Sequence, residues 1–147
     1  MLNHIRILLC LLSLLSSMTI GVTAHAGPPR GGGACVVAKK DGSALDIVWV
    51  TGKSHPYLAL EAAERQLHEK GYKVVFPQET SNLAHGFLVV VRADYTSRRG
   101  RARVNYGCGF SRVSWEHAET LAMLNLTGFA WDWKSAYGYR VIERSRF

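Results

Sequence analysis

Beyond its first 26 residues the sequence lacks any long apolar run. No stretch of residues 27–147 approaches the roughly 20 apolar residues that a membrane-spanning helix needs, which excludes a membrane-spanning helix there. The apolar run that the chain does have, residues 7–15, is itself too short to span a bilayer. It follows a basic residue and precedes a small-x-small triplet that ends at Ala26. This order is typical of a secretory signal peptide. We therefore predict residues 1–26 as a signal peptide, cleaved after Ala26, and a secreted or periplasmic product of a bacterial host.

Cysteine is scarce in this chain. There are three cysteines, and cleavage after Ala26 removes Cys10. In an oxidising compartment the remaining pair, Cys35 and Cys108, is interpreted first as a disulfide. Two buried free thiols are the alternative interpretation.

The sequence contains no familiar metal-binding or phosphate-binding signature. The four histidines after the predicted signal peptide include no pair at the i,i+4 spacing of a helical metal site. Gly107-x-Gly109 lacks the other glycines of a phosphate-binding loop. We predict no metal and no cofactor. Candidate acid–base groups are Glu116, His117 and Glu119 at the start of a predicted helix, where carboxylates also interact favourably with the helix dipole.

Acidic residues are in the minority. Lys and Arg number 18 against 11 Asp and Glu, which gives a net charge of +7, and loss of Arg6 with the signal peptide lowers it by one. A basic exported domain favours anionic partners. We expect an acidic glycan or an acidic protein, with nucleic acid as a further partner. A basic exported protein that has no such ligand is the alternative.

The densest cationic segment is a predicted hairpin tip with four arginines in residues 98–103. Two tyrosines flank this tip, and a fifth arginine lies on the incoming strand. The planar guanidinium group suits phosphate, sulfate or carboxylate, and aromatic rings can stack on bases or sugars. A solvated hairpin that discourages edge pairing between strands would use the same residues. The predicted binding residues are Arg92, Tyr95, Arg98, Arg99, Arg101, Arg103 and Tyr106.

One segment occurs twice without gaps, since residues 52–71 correspond to residues 109–128. Each copy has a Gly-x-Ser entry, an apolar stripe at helical spacing, and a final glycine, Gly71 or Gly128, that is typical of a helix end. Strand patterns flank both copies. The sequence therefore predicts an α+β fold of duplicated β-β-α-β units, with an antiparallel-rich sheet and two helices packed on one face.

The repeats also set the domain boundaries. We predict a flexible leader at residues 27–33, because its glycines and prolines have no side chains to bury. A single domain follows at residues 34–147. It consists of two pseudo-repeats, 34–77 and 86–147.

Several elements carry more specific expectations. The third strand is predicted at residues 72–76, ended by Pro77, with residues 78–85 as a polar connection. The second helix is more apolar than the first, which predicts that it is the more buried helix. The duplicated layout also brings Cys35 within reach of Cys108. Three tryptophans near the second helix would either line a sugar- or peptide-binding groove or belong to the core: Trp115, Trp131 and Trp133.

The repeated unit resembles an uncharacterised family of small exported bacterial proteins. In the second copy the matching residues are 106–112, Glu116, Ala118, Glu119 and Ala122. In the first copy they are 34–39, Gly52, Ser54, Glu61, Ala62 and Glu64. The resemblance implies export and a small α/β repeat, and it implies no catalytic residues. A fainter likeness, on helices ending in a Gly-aromatic pair such as Gly71-Tyr72, is to the sporulation-related repeat that binds peptidoglycan.

Together these patterns favour a non-catalytic, exported binding module. Its ligand would be an anionic envelope polymer, or a protein partner as in an inhibitor- or immunity-like protein. A small secreted hydrolase acting on an anionic polymer, with the acid–base groups named above, is the alternative from a different functional class.

Overall fold

Two strand-strand-helix-strand units follow each other in the structure, a computed structural model that describes residues 30–147. The predicted signal peptide, residues 1–26, and residues 27–29 of the predicted leader lie outside the described residues. The first unit contains β1 (Arg30–Lys40), β2 (Ser43–Lys53), α1 (Pro56–Glu69) and β3 (Val75–Leu83). The second contains β4 (Phe87–Thr96), β5 (Ala102–Ser111), α2 (Trp115–Phe129), a 3-10 turn (Ser135–Tyr137) and β6 (Arg140–Arg146).

The predicted α+β fold of duplicated β-β-α-β units is confirmed. All strand pairs are antiparallel, and each unit forms its own three-stranded sheet, in the orders β2-β1-β3 and β5-β4-β6. The sequence suggested one shared sheet with both helices on one face. The hydrogen bonds instead divide the strands into two sheets, and each helix packs on the sheet of its own unit.

The central strands β1 and β4 explain why the two sheets stack. Both are continuously apolar, so both faces of each strand must be covered. In β1, Val36 and Ala38 pack under α1, whereas Cys35 and Val37 face the second sheet. The β4 strand alternates in the same way, with Val89, Val91 and Ala93 under α2 and Leu88 and Val90 between the sheets. The layers therefore run helix, sheet, sheet, helix.

The predicted disulfide is confirmed. Cys35 on β1 and Cys108 on β5 are bonded, with a Cα–Cα distance of 6.5 Å. Both residues are fully buried in the layer between the sheets, next to Leu88 and Tyr106. The bond therefore joins the first unit to the second across their common core.

The two helices correspond in a register different from the ungapped repeat. Fully buried residues face the sheet at the same spacing in both helices: Ala59, Ala63 and Leu67 in α1, and Ala118, Ala122 and Leu126 in α2. The α2 residue that matches a given α1 residue in burial therefore lies two positions later in the chain than the residue that the ungapped alignment assigns to it. The alignment had paired Leu67 with Leu124, which is exposed.

The glycines that close the two repeat copies have different roles. Gly71 follows α1 with φ of 91°, as expected of a helix end. Gly128 lies inside α2, which continues to Phe129, so the predicted stop there is wrong. The alignment matched residue types in this case and not backbone conformation.

The predicted flexible leader is wrong for residues 30–33, which belong to β1. Gly31 and Gly32 are buried because other backbone segments pass close to them. A Cβ on Gly31 would lie 2.2 Å from the Cα of Ala84, and one on Gly32 would lie 2.1 Å from the carbonyl oxygen of His55. Glycine is required at these two positions because a side chain would collide with the neighbouring backbone, and not because the segment must be flexible.

The third strand is longer than predicted, because β3 continues through Pro77 to Leu83. Within the described residues β3 pairs only with β1, so it is an edge strand. An edge strand leaves one row of N–H groups unused, and proline is tolerated there. The β1–β3 pairing also shifts register between Cys35 and Val36, opposite Pro77.

The expectation that α2 is the more buried helix is also wrong. Its leucines lie on more than one side of the helix, and only the stripe containing Leu126 faces the sheet. Leu124 is 64% exposed, and Phe129 is exposed at the end of the helix. The additional apolar residues of α2 therefore lie partly on its exposed surface, and they do not bury the helix more deeply than α1.

Candidate anion-binding surface and adjoining groove

The β4–β5 hairpin holds its arginines on a hydrogen-bonded tip. The amide of Ser97 donates to the carbonyl of Arg101 at 2.8 Å, and the amide of Gly100 donates to the carbonyl of Ser97 at 2.9 Å. Gly100 has φ of 73°, a conformation that glycine adopts without strain. The short turn directs Arg98, Arg99 and Arg101 into solvent, where all three are exposed.

Within residues 30–147 no carboxylate forms an ion pair with this tip. The ion pairs found in residues 30–147 all lie elsewhere, so Arg98, Arg99, Arg101 and Arg103 form none with a described residue. Like charges held together in this way raise the local positive potential. The tip is thus a concentrated cationic surface.

A second hairpin adds to the same surface. Arg103 donates from Nη1 to the carbonyl oxygen of Asp41 in the β1–β2 turn, and the amide of Val104 donates to Oγ of Ser43 at 2.9 Å. These contacts bring Lys40 beside the arginines, around a recess of about 430 Å³. We call the group Lys40, Arg98, Arg99, Arg101 and Arg103 the basic surface.

A smaller recess on the other side of the tip contains an aromatic residue. Its volume is about 280 Å³, and its lining residues are Ser97, Arg98, Arg99, Arg103, Trp131 and Asp132. Trp131 is 78% exposed. The guanidinium carbon of Arg98 lies 5.9 Å from the centre of the indole ring. We call this feature the Trp131 recess.

Tyr95 positions the acidic residue of that recess. Its hydroxyl donates to Oδ1 of Asp132 at 2.9 Å and accepts from Nδ2 of Asn105 at 2.8 Å, and its ring stacks on Tyr137. Burial, with the bond to Asp132 as a further cause, raises the pKa of Tyr95 to about 12. Asp132, Tyr95 and Asn105 are all buried, so this is a buried hydrogen-bonded network beneath the recess.

Three of the predicted binding residues do not belong to the basic surface. Tyr95 and Tyr106 are 8% and 6% exposed, so neither offers a ring for stacking on a ligand. Tyr106 lies in the core between the sheets because even-numbered residues of β5 face inward there. Arg92 binds Asp94 through Nε and Nη2, with the shortest distance 2.6 Å. This hydrogen bond from Arg92 is the main reason that the pKa of Asp94 is lowered.

The candidate acid–base groups have separate surroundings. Glu119 accepts from the hydroxyl of Tyr139 at 2.9 Å and from Nη2 of Arg144 at 2.6 Å, which ties α2 to the end of the chain. Glu116 is fully exposed, and its pKa is lowered chiefly by a hydrogen bond from the Ser114 side chain. The hydrogen bonds of the described residues join neither Glu116 nor Glu119 to His117.

His117 has a partner that the sequence did not indicate. Its Nδ1 lies 2.8 Å from Oγ of Ser111, a pair brought together by the turn between β5 and α2. Ser111 is buried, and its Oγ also accepts from the amide of Val113 at 2.9 Å. The serine hydroxyl therefore stabilises the turn that starts α2.

A groove separates β3 from α2. Its volume is about 630 Å³, and Leu83, Phe110, Leu121 and Leu124 supply its apolar walls. At one end Asn125 closes the groove. Its amide accepts from Gln78 Nε2 and from the Cys108 amide, and donates to Gln78 O and to Glu79. The sequence did not indicate this groove because its two walls come from different units.

The described residues contain neither of two other common features. In residues 30–147 no helix is long and apolar enough to cross a membrane, and no three His, Cys, Asp or Glu side chains lie close enough together to hold a metal ion. The chain matches no protein-family model, no curated protein and no solved structure. The resemblance to a family of small exported proteins accordingly stays a prediction.

Proposed function

We propose that this protein is an exported, non-catalytic binding module that holds an anionic polymer on its basic surface. The observation that carries the proposal is the set of arginines on the β4–β5 tip, which form no ion pair with a described carboxylate. Arg92 and Arg144, by contrast, are held by carboxylates of the fold. Guanidinium groups without an ion-pair partner, such as Arg98, Arg99 and Arg101, can bind phosphate, sulfate or carboxylate without prior loss of an internal ion pair.

The shape of the surface favours a polymer over a single small ion. Lys40 and Arg101 border one recess and Arg98 and Arg99 border another, with Arg103 between them. A chain with repeated anionic groups can contact both recesses and release counterions at each contact.

Export is part of the same proposal. The pattern of residues 1–26 indicates a signal peptide, and the Cys35–Cys108 bond persists best in an oxidising compartment. Both observations support a location in the periplasm or outside the cell. Envelope and extracellular glycans are the abundant anionic polymers in these places, which suits the net charge of the chain.

Heparin retention tests the basic surface. The variant Arg98→Ala/Arg99→Ala/Arg101→Ala should elute at clearly lower salt than the wild type, and its salt-dependence slope should fall by roughly two to three. Arg103 is kept because its bond to Asp41 joins the two hairpins. The measurement is the binding constant for a heparin fragment at several salt concentrations.

A charge-matched variant separates local from global electrostatics. Lys53, Lys73 and Arg112 are exposed, lie away from the tip in sequence, and form no ion pair with a described residue. Their replacement by alanine also removes three positive charges. Equal losses of slope in the two triple variants would show that only net charge matters, and would contradict the proposed site.

A further inference from the structure

We propose that the Trp131 recess is a sugar-binding subsite, so that the anionic polymer is a glycan bearing carboxylate or sulfate groups. This inference rests on the proposed function and names the class of its ligand. It depends on three features that the basic surface alone does not need. These are an exposed indole ring, a buried carboxylate, and a network that holds the carboxylate in place.

The indole ring provides a flat apolar face. Trp131 is 78% exposed, and it follows the end of α2 without being covered by another element. A large apolar side chain left open beside charged groups is typical of a binding surface. A pyranose ring presents a face of C–H groups that can lie against such a ring. Because Arg98 is 5.9 Å from the indole centre, an acidic substituent on that sugar would lie near a guanidinium group.

The carboxylate provides selectivity. Asp132 lines the recess and is only 9% exposed. One oxygen accepts from the Tyr95 hydroxyl, and no other side chain in the described part of the protein donates to this carboxylate. An ionised carboxylate can accept further hydrogen bonds, and a sugar supplies hydroxyl donors at the required place. A phosphodiester supplies none. The negative charge repels phosphate, sulfate and carboxylate alike, so only a ligand with hydroxyl groups gains from this acceptor.

The support beneath the recess is already formed. Tyr95 is held by Asn105 on one side and stacks on Tyr137 on the other, at a centroid distance of 5.7 Å. Asp132 therefore keeps its orientation without a ligand. A preorganised acceptor lowers the ordering cost of binding. The same network also ties the segment after α2 to β4 and β5.

Single-stranded nucleic acid is the competing ligand, because bases also stack on tryptophan and phosphates also bind arginine. A substitution of Asp132 distinguishes a nucleic-acid ligand from a glycan ligand. Its replacement by asparagine removes a negative charge from an arginine-lined recess, so it should strengthen binding of any phosphate chain. The same change removes a strong acceptor for sugar hydroxyls, so it should weaken binding of a glycan.

The experiment measures binding of the full mature chain to three probes at one salt concentration. The probes are an oligogalacturonate decamer, a heparin decasaccharide and a ten-residue oligothymidylate. We expect Trp131→Ala and Asp132→Asn each to weaken binding of at least one glycan probe by roughly tenfold or more. We expect Asp132→Asn to leave oligothymidylate binding unchanged or tighter. Oligogalacturonate carries carboxylates only, whereas heparin carries carboxylates and sulfates. A response of oligogalacturonate therefore shows that carboxylate is sufficient, and a response of heparin alone shows that sulfate is required.

The outcomes separate this inference from the proposed function. If Arg98→Ala/Arg99→Ala/Arg101→Ala loses all three probes while Trp131→Ala and Asp132→Asn change neither glycan, the basic surface stands and the sugar subsite is overturned. The sugar subsite is also overturned if Trp131→Ala weakens binding of oligothymidylate as much as binding of the glycans. It is overturned as well if Asp132→Asn tightens binding of the glycans. Because Trp131 is exposed, its variant should fold normally even if Asp132→Asn does not. Val113→Ala, at another exposed apolar residue, is the control.

Discussion

Removing the Cys35–Cys108 bond should lower the free energy of unfolding by about 4 kcal/mol. The two cysteines are 73 residues apart, and the chain-entropy model gives a loss of that size when so long a loop is opened in the unfolded state. For a domain of this length the melting temperature should fall by roughly 15 °C. Reduced wild type is the best sample, because it keeps both sulfur atoms in the core and removes only the crosslink.

Urea unfolding with and without reductant measures this effect. The variant Cys35→Ala/Cys108→Ala should unfold at a lower midpoint than oxidised wild type in either buffer, and reductant should not change it. Reductant should shift the wild type toward the variant. A wild-type midpoint that does not respond to complete reduction would contradict the predicted contribution of the bond.

Replacing Gly109 with alanine should destabilise the fold by about 1–3 kcal/mol. A Cβ at this position would lie 2.1 Å from the carbonyl oxygen of Ala118 and 2.4 Å from the amide nitrogen of Ala122. Both are backbone atoms of α2, so no side-chain rotation can relieve the overlap. The helix would have to move off β5, which opens the apolar layer beneath it, and overpacking of this kind typically costs 1–3 kcal/mol. Urea unfolding measures the loss.

Gly128→Ala is the matched control for this variant. Gly128 lies within α2, and a Cβ there would meet nothing within 4 Å. Alanine favours the helix over glycine by up to about 1 kcal/mol, so this change should leave the unfolding midpoint unchanged or raise it. A loss of stability at Gly128 as large as that at Gly109 would show that close packing of α2 on β5 is not the cause.

The layer that contains Gly109 also explains a motif that the sequence left without a role. Gly107-x-Gly109 is too short for a phosphate-binding loop. In the structure both glycines face α2, and a Cβ on Gly107 would lie 2.0 Å from the carbonyl oxygen of Ala122. The two glycines allow the backbone of α2 to approach β5 closely, and this packing explains the motif without a bound phosphate.

Part of the candidate site could be predicted from sequence. Four arginines in one turn are visible as a local pattern, and the structure places them together on the hairpin tip. Lys40 and Asp132 could not be predicted, because they reach the site from another hairpin and from the segment after α2. Tyr95 was expected to face a ligand, yet it lies under Asp132, since which face of a strand is covered depends on the element packed above it.

The sequence by itself determined the local elements and the outline of the fold. Apolar alternation, turn residues and helix caps act within a few residues, so both helices and the duplicated unit order followed from them. The Cys35–Cys108 pairing followed from the count of two cysteines beyond residue 26 in a chain predicted to be exported. Only the tertiary structure decided that there are two stacked sheets, that the two helices correspond in a shifted register, and that the glycines before Ala34 lie inside a strand. These features depend on which backbone passes close to which. Local sequence patterns do not indicate which segments far apart in the chain lie close together. A glycine therefore looks the same in the sequence whether it belongs to a flexible linker or to a close contact between two backbone segments.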